Sequence, residues 1–144
     1  MTSIIKLALG LIVFAPLPVA AKATDQKHEE AEKKAVESAE AWLPLIDQEK
    51  YGEAWDSAAA YLKDAASKED FIKALTGARQ PLGKMKSRQL KSKEYRTSLP
   101  GAPDGEYVVI QFDTSFGNKK SAVETITPML EKDGTWKVSG YFIK

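Results

Sequence analysis

The hydrophobic positions of this chain change their period about half-way along it. From His28 onward, Ala31, Ala35, Ala39, Trp42, Leu43 and Ile46 recur at three- and four-residue steps with Glu and Lys between them, the spacing of one face of an α-helix. Tyr51, Ala54, Trp55, Ala58, Tyr61, Leu62 and Ala65 repeat the pattern, with Gly52 weakening the first turn. Ser67-Lys68-Glu69-Asp70 reads as a third helix start: the hydroxyl can accept an early backbone N–H, and acids favour the positive end of the helix dipole. That helix runs through Phe71, Leu75 and Ala78 and stops at Pro81-Leu82-Gly83.

Past Gly83 the pattern is extended. Residues 84–97 form a polar strand candidate, LPGAPDG is turn-rich, and further strands are predicted over 106–116, 119–132 and 135–144. Gly117-Asn118 and Asp133-Gly134 are two-residue hairpin connections, because Gly and Asn tolerate positive φ. These loops place Phe112 opposite Val123, Gln111 opposite Glu124, Met129 opposite Val138 and Thr125 opposite Phe142. Alternation then gives one apolar face of Val108, Ile110, Phe112, Val123, Met129, Trp136, Val138 and Phe142. Tyr107, Val109, Gln111, Asp113, Glu124, Ile126, Tyr141 and Ile143 take the other. Pro128 cannot donate to a ladder, so a bulge there would reverse the faces beyond it. The predicted fold is α+β: three N-terminal helices packed on a curved four-stranded antiparallel sheet.

The first residues add a location. Lys6 followed by the apolar run Leu7 to Ala15, the breakers Pro16 and Pro18, and small residues up to Ala23 have the layout of a cleaved signal peptide over 1–23. The cut is expected after Ala23, with Ala21 the rival, and the product is expected to be periplasmic or secreted. Residues 24–144 are read as one domain of about 120 residues. The chain has no cysteine, which excludes disulfides, a thiolate nucleophile, a lipid-modified cysteine and sulfur metal sites. Loss of Lys6 and Lys22 takes the formal charge from +1 to −1, so bulk charge does not point to nucleic acid. The charge is uneven, however: residues 25–70 hold thirteen acids and six bases, and 77–96 hold seven bases and one acid.

Few residues suggest chemistry. Asp113 and Glu124, with Gln111 beside them, are the candidate acid–base pair of an isomerase or hydrolase, against the plainer reading of a solvated sheet face. His28, the single histidine, sits near the mature terminus among acids and implies neither catalysis nor a metal. No cofactor is expected: the chain has no nucleotide-binding glycine loop, nucleophile elbow or zinc helix motif. Trp55, Phe112, Thr125 and Trp136 are the candidates for a pocket holding a small apolar ligand between helices and sheet. Arg79, Lys84, Lys86 and Arg88 are the candidates for an anion-binding patch toward an envelope partner. Lysines on such a strand also serve to discourage edge-to-edge pairing. Tyr107, Ile126, Tyr141 and Ile143 would leave an apolar outer face suited to a homodimer.

Four segments, WLPLIDQEKYGEAWDSAA (42–59), RQPLGKMKSRQLKS (79–92), LPGAPDGEYVVIQFDTSF (99–116) and VETITPMLEKDGTWKVSGYFIK (123–144), together resemble the bacterial family called domain of unknown function 4019. The ending DGTWKVSGYFIK is similar to the last hairpin of the nuclear-transport-factor-2-like, or cystatin-like, superfamily. That resemblance implies a cone-shaped fold with a pocket between helices and sheet. It carries no catalytic motif to these residues, and the superfamily's pocket Asp and His pairs have no counterpart here, the only histidine lying far from the sheet. The sequence reading is an exported, non-catalytic binding domain; the alternatives are a pocket enzyme using Asp113 and Glu124 and an envelope interaction module using the basic strand.

Overall fold

A computed structural model describes residues 19–144, with side chains from Ala23 onward. Most of the predicted signal segment therefore lies outside the described residues. Helix α1 spans Val19–Asp47, and its stripe Ala31, Ala35, Ala39, Trp42, Leu43 and Ile46 is buried throughout. It ends in a paired cap: Glu49 N–H donates to Ile46 O (3.1 Å) and Lys50 N–H to Leu45 O (2.8 Å). Glu49 takes the left-handed φ of +61° that this cap needs and that glycine usually supplies.

The second predicted helix is two, α2 (Tyr51–Asp56) and α3 (Ala60–Ala65). The break has a tertiary cause. Ala59 N–H leaves the helix to donate to Val138 O (2.8 Å) on the last strand, and Ala60 N–H donates to the Glu131 carboxylate (2.9 Å). Helix α4 (Lys68–Arg79) starts as its sequence predicts, with Asp70 N–H donating to Ser67 Oγ (3.1 Å). A 3-10 turn, Gln80–Leu82, leads to Gly83 at φ +75°, where a Cβ would meet the Asn118 side chain at 3.2 Å.

Strands β1 (Met85–Arg96), β2 (Tyr107–Phe116), β3 (Lys119–Leu130) and β4 (Trp136–Ile143) form an antiparallel meander in sequence order. The fold is therefore α+β, helices on a four-stranded antiparallel sheet. Its register departs from the two-residue-loop expectation. Phe116 pairs with Lys119 but Thr114 with Ala122, so one residue of β2 faces two of β3. This bulge slides the ladder by one: Phe112 now pairs with Glu124 and Gln111 with Thr125. A one-residue slip exchanges the faces of a strand, so Glu124 and Ile126 turn inward and Val123 outward. The irregularity anticipated at Pro128 is also present: Thr127 pairs with Gly140 and Pro128 with Val138, leaving Ser139 extra, its hydroxyl donating to Thr127 O (2.7 Å).

These two shifts rewrite the inner face. Val108, Ile110, Phe112 and Val138 lie in the core as predicted, joined by Ile126, and Tyr141 packs against it. Phe142 points out and is 54% exposed. Thr125 does pair with Phe142, but Met129 pairs with Lys137 and not with Val138. The outer apolar patch proposed for a dimer keeps only Ile143 of its four members, since Ile126 belongs to the core, Tyr141 packs against it, and Tyr107 is covered by its own loop, its hydroxyl donating to Pro103 O (2.5 Å). Trp42 anchors the helix–sheet contact, edge-on to Phe71 and Tyr141 with its indole N–H donating to Ala54 O (2.8 Å). Burying each such large side chain is worth about 1.5–3 kcal/mol. At the free edge, β1 has irregularities at Lys86 and at Lys91, and bulges and lysines both discourage further strand pairing.

Candidate functional site

The bulge in β3 buries a carboxylate, and a burial of that kind has to be answered by partners. Glu124 has no exposed surface, and Arg88 of β1 meets it with Nε to Oε1 at 2.7 Å and Nη2 to Oε2 at 3.1 Å. Thr114 of β2 donates to Oε1 (2.5 Å) and Tyr141 of β4 to Oε2. The same guanidinium grips Asp47, the last residue of α1, through Nη1 to Oδ2 (2.8 Å) and Nη2 to Oδ1 (2.9 Å). Arg79, the last residue of α4, adds Nη2 to Asp47 Oδ1 (3.1 Å) and rests 4.8 Å over the Phe116 ring. Four strands and two helices thus contribute one residue each to a cluster of two guanidiniums, two carboxylates and two hydroxyls.

The electrostatics follow from the geometry. Burial works to lower the Arg88 pKa, but the hydrogen bonds and charges of Asp47 and Glu124 outweigh it and hold the guanidinium above its ordinary value. Burial raises the Tyr141 hydroxyl, the Glu124 charge and hydrogen bond raise it further, and Arg79 and Arg88 offset only part of this. Glu124 accepts four hydrogen bonds, the capacity of a carboxylate. A general base needs a lone pair for the substrate's proton, and here every one is engaged. The cluster is a scaffold that ties α1 and α4 to the sheet.

The sequence-derived candidates are distributed differently from what their order suggested. Asp113 and Glu124 lie on opposite faces of the hairpin, so the acid–base pair does not assemble. Asp113 is exposed, 3.9 Å from Lys91, and only it keeps the solvated position expected for both. Of the four basic residues, Arg88 is held in the cluster and Arg79 joins it through Nη2 alone, Lys84 lines a cleft beside Arg79, and Lys86 is exposed at the β1 edge. Trp55, Phe112, Thr125 and Trp136 do not converge. The Trp55 indole donates to Ala66 O (2.9 Å) with Lys63 and Lys68 over its ring. Phe112 is core, Thr125 lies on the opposite face against Gln111, and Trp136 lines a shallow depression with Ser38, Trp42, Leu45 and Val138. His28, expected far from the sheet, instead lies on it, stacked on Tyr95 of β1 with ring centroids 4.1 Å apart.

Asp47 and Thr114 are the members that sequence reasoning did not single out, and Tyr141 is one that it placed on the outer face. Asp47 reads as one more polar residue at a helix end, and Tyr141 is assigned inward only once the extra residue at Ser139 is counted. Among the described residues, no group of three or more His, Asp or Glu side chains is arranged to hold a metal, and no helix is long and apolar enough to cross a membrane.

A second concavity lies between α4 and β4. Ala74, Leu75, Ala78 and Leu82 face Tyr141, Phe142 and Ile143 across about 450 Å³, with Lys119 and Lys144 also in its lining.

The molecule is thus an α+β domain organised around a buried ion cluster, with its concavities at the helix–sheet margins. The family model described as protein of unknown function (DUF4019) matches residues 38–141, and the chain belongs to that family. Every residue of the cluster falls inside the matched span. No curated protein matches the chain.

Proposed function

We propose that this protein is an exported, non-catalytic binding domain that holds a small apolar molecule in the groove between α4 and β4. One observation carries the reading: the groove's walls are seven apolar or aromatic side chains, Tyr141 among them, and Phe142 stands 54% exposed at its side. A cavity of several hundred Å³ with apolar walls and few polar groups is the usual form of a small-ligand site. The saturation of Glu124 supports a non-catalytic role, because it removes the one deep carboxylate from acid–base work. Export rests on the Lys6-to-Ala23 pattern.

Native mass spectrometry of the protein from the periplasm of an expressing bacterium tests both parts. We expect a mature mass starting near residue 24 and an added mass that is lost on denaturation. Ala78→Trp, at an exposed helix position facing the groove, should abolish the added mass while leaving the fold intact. A clean apo mass, together with no binding of apolar probe molecules by the wild-type protein, would overturn the groove assignment. An uncleaved N-terminus would overturn export.

A further inference from the structure

We infer that the cleft between the end of α1 and the end of α4 binds a small oxyanion, a carboxylate or a phosphate. The cleft measures about 370 Å³, and Asp47, Gln48, Glu49, Tyr51, Arg79 and Lys84 are in its lining. It is separate from the apolar groove, with which it shares no lining residue.

The argument is a count of donors against acceptors. Arg79 is 5% exposed, yet only Nη2 has a hydrogen-bond partner; Nε and Nη1 are buried without one. Buried guanidinium N–H groups without acceptors are rare and destabilising, and each asks for an explanation. The Phe116 ring beneath the guanidinium is a partial one. Tyr51 is 7% exposed, lines the same cleft, and its hydroxyl has no partner among the described residues. Burial raises its pKa, with Glu49 and Asp47 adding to this against Arg79, so the phenol keeps its proton to donate. Lys84 makes no ion pair among the described residues and brings a third donor.

Among the described residues no acceptor reaches Arg79 Nε or Nη1. Asp47 Oδ1 already accepts from Arg88 and Arg79, and Oδ2 from Arg88. Glu49 is the one other acid of the lining; it is exposed and opposes an anion electrostatically. Guanidinium, phenol and ammonium donors left unpaired among the described residues match the oxygens of a small carboxylate or phosphate. Contact with Arg79 needs a small side-chain adjustment, since its free nitrogens are covered.

The experiment is an NMR titration of the full mature chain with sodium acetate and, separately, sodium phosphate, each against sodium chloride at matched ionic strength. Saturable amide shifts confined to the segments around Tyr51, Gln80 and Lys84 are expected for one of the two probes by about 10 mM, and which one responds identifies the anion class. Lys84→Ala and Tyr51→Phe, neither of which touches the ion cluster, should each weaken that binding about tenfold, and Glu49→Gln should tighten it. Shifts that chloride reproduces, that do not saturate, or that persist unchanged in both weakening variants would overturn the site and leave the cleft to ordered water.

Discussion

Asp113 and Glu124 sit on neighbouring rungs of one hairpin, yet they live in opposite worlds. Asp113 is paired across the ladder with Val123, is 62% exposed and has a lysine at 3.9 Å for company. Glu124, one residue beyond Val123, is fully buried and bound by four donors. The difference comes from the pleat, with the bulge between Thr114 and Phe116 deciding which residues face which way. The comparison teaches that a carboxylate's role in a sheet follows from register before it follows from chemical type. The inner acid is committed to architecture, and the outer one is left to solvent.

The widest contrast should appear in stability. Glu124→Gln leaves two guanidiniums of the buried cluster against the single carboxylate of Asp47, and should cost about 3–5 kcal/mol. Asp113→Asn should change stability by about 0.5 kcal/mol or less. Urea unfolding of the two variants side by side measures this, and equal losses would dissolve the distinction between the faces. Tyr141→Phe removes one of the four donors to Glu124 and should cost about 1–2 kcal/mol in the same assay.

The same substitution has a pH signature. Burial, followed by the Glu124 charge, raises the Tyr141 pKa, and burial with the Glu106 hydrogen bond pushes Tyr95 up to about 12. The folded state therefore holds phenolic protons that the unfolded chain releases near pH 10. Their contribution is complete below about pH 10 and is lost as the pH rises toward the folded values. The alkaline fall in the urea midpoint should be shallower in Tyr141→Phe than in the wild type. A gain in place of a loss belongs to the helix end that delivers Asp47: Glu49→Gly relieves a left-handed side chain and should stabilise by about 0.5–1 kcal/mol. A loss there would mean that the Glu49 side chain contributes more than its backbone costs.

Much of this architecture can be read from short-range pattern. The α1 stripe from Ala31 to Ile46, the Ser67 cap, both hairpin positions and the trouble at Pro128 are local signals, and local physics produces them. What escapes is non-local. Nothing in Lys120-Ser121 announces that two residues will face Ser115, because either residue suits a regular exposed strand. The split between α2 and α3 depends on Val138, some eighty residues away, capturing an amide. The cluster fails to show for the same reason. Arg79, Arg88 and Glu124 are noticeable as charges, but only the folded sheet brings them to Asp47 and Tyr141.

That dispersal along the chain bears on when the protein can fold. A chain emerging N-terminus first presents Asp47 long before its arginines, and Glu124 lacks its full set of donors until Tyr141 is free. Asp47 can find Arg79 and Arg88 once β1 is out, but the cluster as a whole stays incomplete until Tyr141 emerges, and closing it requires contacts of long sequence separation, which form late. The cluster is thus a contact that only a nearly complete chain can close, whichever part of the fold forms first.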